Sequence, residues 1–174
     1  IKSNQGDGQP FFGYLAYTAP HWPLQAPQEY IDKYKGVYDD GYMELRKSRL
    51  KSLQDLGLVK EGVKALPPTF PVSEYWDNIS VEDKNIRKRE MEIYAAMVDN
   101  MDFHIGRVLD YLNQTGQREN TIIIFISDNG APGSHPGRLA SITYEWIEEI
   151  FDLSYENMGK ENSYVHYGLY WGGA

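Results

Sequence analysis

Three residues of this chain combine a reactive side chain with a position suited to chemistry: His21, Asp128 and Asn129. Asp128 and Asn129 carry hard oxygen donors, the ligand type that suits Ca²⁺ or Mg²⁺. They stand together at the end of Thr121-Ile122-Ile123-Ile124-Phe125-Ile126-Ser127-Asp128-Asn129-Gly130. Turn chemistry competes with the metal reading, because Gly130 can supply a positive φ and Asp and Asn favour turns. His21 lies in Thr18-Ala19-Pro20-His21-Trp22-Pro23. The flanking prolines bias the backbone to extended forms and prevent a helix from starting there, so the imidazole is presented on a stiff loop. A lone histidine is more often structural than catalytic. Brought to the same edge as an oxygen pair, it becomes a candidate for a site.

The elements that would bring these residues together are two strands and the helices between them. Ile122 to Ile126 are five apolar residues, four of them β-branched. That pattern predicts a strand buried on both faces, as in a parallel sheet covered by helices. Phe11 to Tyr17 is a second strand candidate, running into the His21 loop. Helical sequence separates the two, and a strand–helix–strand crossover implies parallel, right-handed neighbours. Parallel strands would deliver His21 and Asp128/Asn129 to one sheet edge, where ligands of open α/β sheets bind.

The dominant helix is expected to start at Ser80, a good N-cap followed by Glu82 and Asp83, and to stop at Gly116. Its apolar stripe is Tyr94, Met97, Val98, Met101, Ile105, Val108, Leu109 and Leu112, stepping by threes and fours. Met97 and Met101 belong to that stripe and read as core. Asp99 and Asp102 flank it, placed to bond neighbouring loops. Shorter helices are expected over 28–34, 43–56 and 142–153. Leu66 to Pro71 reads as a rigid connector. Residues 131–138 read as a Gly/Pro-rich loop, and 155–174 as an irregular rim. His104 and His166 read as structural.

Composition narrows the function classes. A length of 174 residues allows one domain with a sizeable core. The formal net charge of −8 argues against a general nucleic-acid binder. Basic clusters at Arg46-Lys47-Ser48-Arg49 and Arg87-Lys88-Arg89 are mixed with acids and read as solvated helix faces. There is no cysteine, which excludes disulfides and thiolate metal sites and leaves the redox compartment open. No apolar run reaches spanning length. Asn78-Ile79-Ser80 and Asn113-Gln114-Thr115 fit the glycosylation acceptor pattern, which arises often by chance. The chain starts at Ile1 and stops at Trp171-Gly172-Gly173-Ala174, which reads as an interior piece of a longer protein; localisation and oligomeric state stay unassigned.

Three motifs carry a family resemblance. Phe11 to Pro27 resembles the sulfate-contacting histidine segment of type I, formylglycine-dependent sulfatases, bacterial arylsulfatases in particular. Tyr94-Ala95-Ala96-Met97-Val98-Asp99-Asn100-Met101-Asp102, with Ile105-Gly106-Arg107-Val108-Leu109, resembles the helix preceding that family's metal strand. Ile126-Ser127-Asp128-Asn129-Gly130 is similar to its calcium-ligand signature. The resemblance covers essentially the whole chain, in order. It implies a fragment of an alkaline-phosphatase-like α/β fold, with parallel strands covered by helices, in which residues 1–174 are an interior part of one catalytic domain. It also implies hydrolysis of a small-molecule sulfate ester, with Asp128 and Asn129 as Ca²⁺ ligands, Asp128 also near the nucleophile and His21 contacting the sulfate. Asn129 rather than His after Asp128 favours a one-metal sulfatase over the two-metal phosphodiesterase branch.

The departures bear on activity. Upstream of His21 there is neither the Cys/Ser-x-Pro-x-Arg motif that yields formylglycine nor the paired aspartates of the metal site. The family's later sulfate-binding lysine would fall beyond Ala174. The calcium site is therefore expected to be incomplete and the isolated fragment inactive. Ser134-His135-Pro136-Gly137-Arg138 fits the short motif but follows the metal strand, so it reads as coincidence. Two other readings stay open: a phosphonate or phosphate ester hydrolase of the same superfamily, and a non-catalytic calcium- or carbohydrate-binding module.

Overall fold

The computed structural model describes residues 6–67, 72–130, 143–168 and 171, with residues 72–74 described by their backbone alone. The expected connector over 66–71, the loop over 131–138, Ser134 to Arg138 and part of the terminal rim lie wholly or partly outside these residues. The described chain is helical: α1 (Gln28–Lys33), α2 (Gly41–Asp55), α3 (Val72–Asn78), α4 (Val81–Gln114) and α5 (Tyr144–Ile150), with 3₁₀ turns at Arg118–Asn120 and Tyr155–Asn157.

Helix α4 organises the rest, and its ends follow from local chemistry. Ser80 is extended, and its Oγ accepts the amide of Asp83 at 3.0 Å, so one of the orphan donors of the first turn is satisfied. At the other end the amide of Gly116 donates to the Asn113 carbonyl and that of Gln117 to the Leu112 carbonyl. This paired closure uses the positive φ of Gly116.

Two apolar clusters line α4. Leu24, Ile31, Ile93, Ala96, Met158 and Val165 form the first, between α1, α4 and the segment 158–168. Tyr38, Tyr42, Met91, Ala95 and Trp171 form the second, with Tyr75 and Trp76 of α3 packed against it. Tyr42 and Trp171 meet edge-on at 4.3 Å between ring centres, a favourable aromatic geometry. Gly159 is required where it stands. Its φ is +92°, and a Cβ there would lie 2.8 Å from Ile31 Cδ1.

Three expectations change. The strands expected at 11–17 and 122–126 are not formed: no β-strand occurs among the described residues. Ile122, Ile124 and Ile126 are 90%, 76% and 78% exposed, so the run is not buried on both faces in this structure. A strand's backbone groups must be satisfied by a neighbouring strand, and β-branched composition cannot supply that partner. The buried face of α4 also differs from the stripe. Glu90, Met91, Glu92, Ile93, Ala95 and Ala96 are buried, whereas Val98 is exposed. Here α4 is enclosed from more than one side, which a single-stripe pattern does not anticipate. Finally, Arg87 and Arg89 are half-buried partners of Glu90 and Glu92 rather than a solvated face.

Candidate functional site

The His21 loop is held at its downstream end. The amide of His21 donates to the Thr18 carbonyl at 2.8 Å, closing a turn. The amide of Leu24 donates to the Val165 carbonyl at 2.7 Å and that of Ala26 to the Gly159 carbonyl at 3.1 Å. The Gln25 side-chain amide bridges the carbonyls of Glu161 and Ser163, at 2.9 and 3.0 Å. Trp22 packs its ring against Tyr164 and His166, with centres 5.9 and 5.4 Å apart. The imidazole of His21 itself is exposed. Its Nδ1 lies 2.6 Å from the Trp22 carbonyl. A carbonyl only accepts, so Nδ1 carries the proton and Nε2 is left facing outward. A ring held this way can accept a proton at Nε2 or, once cationic, donate from it to an anionic oxygen.

Asp128 and Asn129 form a compact, exposed bend. The Asp128 carboxylate accepts the Asn129 amide at 3.0 Å, the Asn129 side-chain amide donates to the Gly130 carbonyl at 2.8 Å, and Ser127 Oγ donates to the Asn129 carbonyl at 2.6 Å. These bonds leave Asp128 Oδ2 and Asn129 Oδ1 available. Two or three side-chain oxygens fit Ca²⁺ in kind but supply at most half of the six to eight it takes. Among the described residues no group of three or more His, Asp or Glu side chains is placed to hold a metal ion. Neither Asp128 nor Asn129 bonds to His21 here. The shared edge expected for them depends on strands that these residues do not form.

One acid that sequence reasoning passed over meets the segment 163–168, which holds the His21 loop. Glu90, buried on α4, receives Arg87 NH1 on both carboxylate oxygens, at 2.6 and 2.8 Å. It also accepts the backbone amide of Gly168. Burial pushes its carboxyl up to about 7, against the opposing pull of Arg87 and the Gly168 amide. It borders a cleft of about 270 Å³ shared with Tyr75, Tyr144, Tyr164 and His166. The signal in the sequence was an Arg–Glu pair three residues apart beside an apolar run. Of the other residues placed in advance, His166 packs on Trp22 as expected. His104 is exposed, 3.0 Å from Arg107, and Asp99 pairs with Lys33 of α1 at 2.9 Å.

The sulfatase family model matches residues 1–162, a span that holds both the His21 loop and the Asp128–Asn129 bend. The chain belongs to the sulfatase family. An uncharacterised sulfatase of Schizosaccharomyces pombe is 46% identical over 168 residues, covering 97% of this chain and 30% of the relative. An arylsulfatase of Klebsiella aerogenes is 39% identical over 163 residues, covering 94% of this chain and 34% of the relative. A multifunctional alkaline phosphatase superfamily protein of Trinickia caryophylli is 30% identical over 125 residues, 71% of this chain and 24% of the relative. This sulfatase chain thus spans about a third of the length of the first two relatives. Membership in the family implies the alkaline-phosphatase-like fold. No helix among the described residues is long and apolar enough to cross a membrane.

Proposed function

We infer that residues 1–174 are an interior part of a single sulfatase catalytic domain that hydrolyses a small-molecule sulfate ester. The observation that carries this reading is the family match over 1–162, which includes both groups of candidate residues. In the complete domain, residues 11–17 and 122–126 would become parallel strands, and their ends would deliver His21 and the Asp128–Asn129 pair to one site.

Each residue has a defined task in this reading. His21, with Nδ1 committed to the Trp22 carbonyl, offers Nε2 to the sulfate and to the departing oxygen. Its charge balances the sulfate, and its proton assists the leaving group. Asp128 and Asn129 present oxygens to Ca²⁺, with the remaining ligands and the formylglycine nucleophile coming from outside this chain. When bound, the calcium ion would supply positive charge beside the non-bridging oxygens. A phosphate or phosphonate ester is the second reading, favoured by the likeness to the alkaline phosphatase superfamily protein of Trinickia caryophylli.

The test is turnover by the complete gene product on an aryl sulfate and on the matching aryl phosphate. The sulfate should be the better substrate, and His21→Ala should lower kcat by about 10²–10⁴-fold, the range for a lost general acid. Asp128→Asn should fail differently, with activity partly restored by excess calcium. A preference for the phosphate ester would establish the second reading. Near-normal turnover by His21→Ala would return His21 to a structural role.

A further inference from the structure

Glu90 and Arg87 do not touch the His21 loop, yet an unbroken series of contacts joins them to it. The Glu90 carboxylate holds the Gly168 amide. The fit is close, since a Cβ on Gly168 would lie 2.6 Å from Glu90 Oε2 and 3.1 Å from Arg87 Cδ. On the other side of the pair, Trp171 Nε1 donates to the Arg87 carbonyl at 2.8 Å, and Arg49 donates to the Trp171 carbonyl at 3.2 Å. The segment 163–168 is therefore fastened to α4 at its far end. Its nearer part carries Tyr164, Val165 and His166, the residues that hold Trp22 and Leu24. The Trp22 carbonyl, in turn, fixes the protonated nitrogen of His21.

We propose that Glu90 and Arg87 are positioning residues for His21, acting through the segment 163–168 and the Trp22 carbonyl. Proper alignment of a catalytic imidazole depends on the partner of its other ring nitrogen, and here that partner is a backbone carbonyl whose place is set from α4. A buried Arg–Glu pair is weak evidence of added stability, but removing one member is costly. Its use here is to hold one backbone amide in one place. The proposal rests on His21 being the sulfate-contacting residue only for its catalytic consequence; the structural coupling stands apart from it.

The experiment reads His21 directly in this chain. Long-range ¹⁵N–¹H spectra above the imidazole titration distinguish its two neutral tautomers. The Nδ1–H form should dominate in the wild type. In Glu90→Gln, and in the milder Glu90→Asp, its ratio to the other tautomer should fall by about 2- to 10-fold, the effect of weakening one ordinary hydrogen bond. Leu112→Ala, at the distant end of α4, serves as the control for general destabilisation. It should lower the melting temperature and leave the tautomer ratio unchanged. An unchanged ratio in both Glu90 variants, or an equal shift in Leu112→Ala, would overturn the proposal. In the complete enzyme Glu90→Asp should lower kcat more than it raises KM. A coupling seen in the spectra of a protein without sulfatase turnover would sink the functional reading and leave the positioning role intact.

Discussion

Raising the pH from 5 to 8 should weaken the wild-type fold relative to Glu90→Gln, because the buried carboxyl must give up its proton. Burial raises Glu90 from 4.5 to about 7, despite Arg87 and the Gly168 amide. Between these two values the folded chain holds a proton that the unfolded chain has lost, so stability falls as pH rises through the window. The contribution is complete below pH 4.5 and gone above 7. Linkage gives a loss of about 2–3 kcal/mol between pH 5 and 8. Glutamine keeps the shape and cannot titrate. It also leaves Arg87 without a carboxylate, which costs a constant amount at every pH; only the slope carries the test. The two proteins differ only at position 90, so the difference between their slopes reads that position. Urea unfolding followed by tryptophan fluorescence at pH 5, 6, 7 and 8 supplies the two slopes. Parallel slopes would mean that Glu90 does not titrate in this window. A wild type that gains on Glu90→Gln as pH rises would mean that attraction to Arg87 outweighs desolvation, and the reasoning would be refuted.

Two further substitutions probe the scaffold. Ser80→Ala removes the acceptor for the Asp83 amide and should cost about 1 kcal/mol in urea unfolding; an unchanged midpoint would mean that α4 starts without help from its cap. Gly159→Ala places a methyl group 2.8 Å from Ile31 Cδ1 at a φ of +92°. It should cost about 1–3 kcal/mol by overpacking alone, and a wild-type melting temperature would show that the core yields there.

Much of α4 was legible because its signals are local. Ser80 satisfies an amide three residues away, and Gly116 closes the helix with carbonyls of its own last turn. Helix α5 was legible in the same way, since Thr143 caps the Trp146 amide; it ends at Ile150 because Phe151 is extended. The strands were not legible as formed structure. Four isoleucines and a phenylalanine over 122–126 read as a strand buried in a sheet, and no partner strand occurs among the described residues.

The candidate site divides along the same line. His21 was legible as a presented group because Pro20 and Pro23 act on the backbone beside it. What fixes its ring was hidden, because Trp22 and Leu24 meet Tyr164, Val165 and His166 only after about 140 residues of intervening chain have folded. Glu90 shows the cost of reading charge as exposure. An acid three residues after an arginine on a helix is ordinary on a surface. It becomes informative once the pair is enclosed, because its remaining hydrogen-bonding capacity must then be met from within the protein. In this chain it is met by the backbone of the segment that carries the His21 loop. The residues that touch a substrate are announced by their own chemistry, and the residues that aim them are found only by following hydrogen bonds inward.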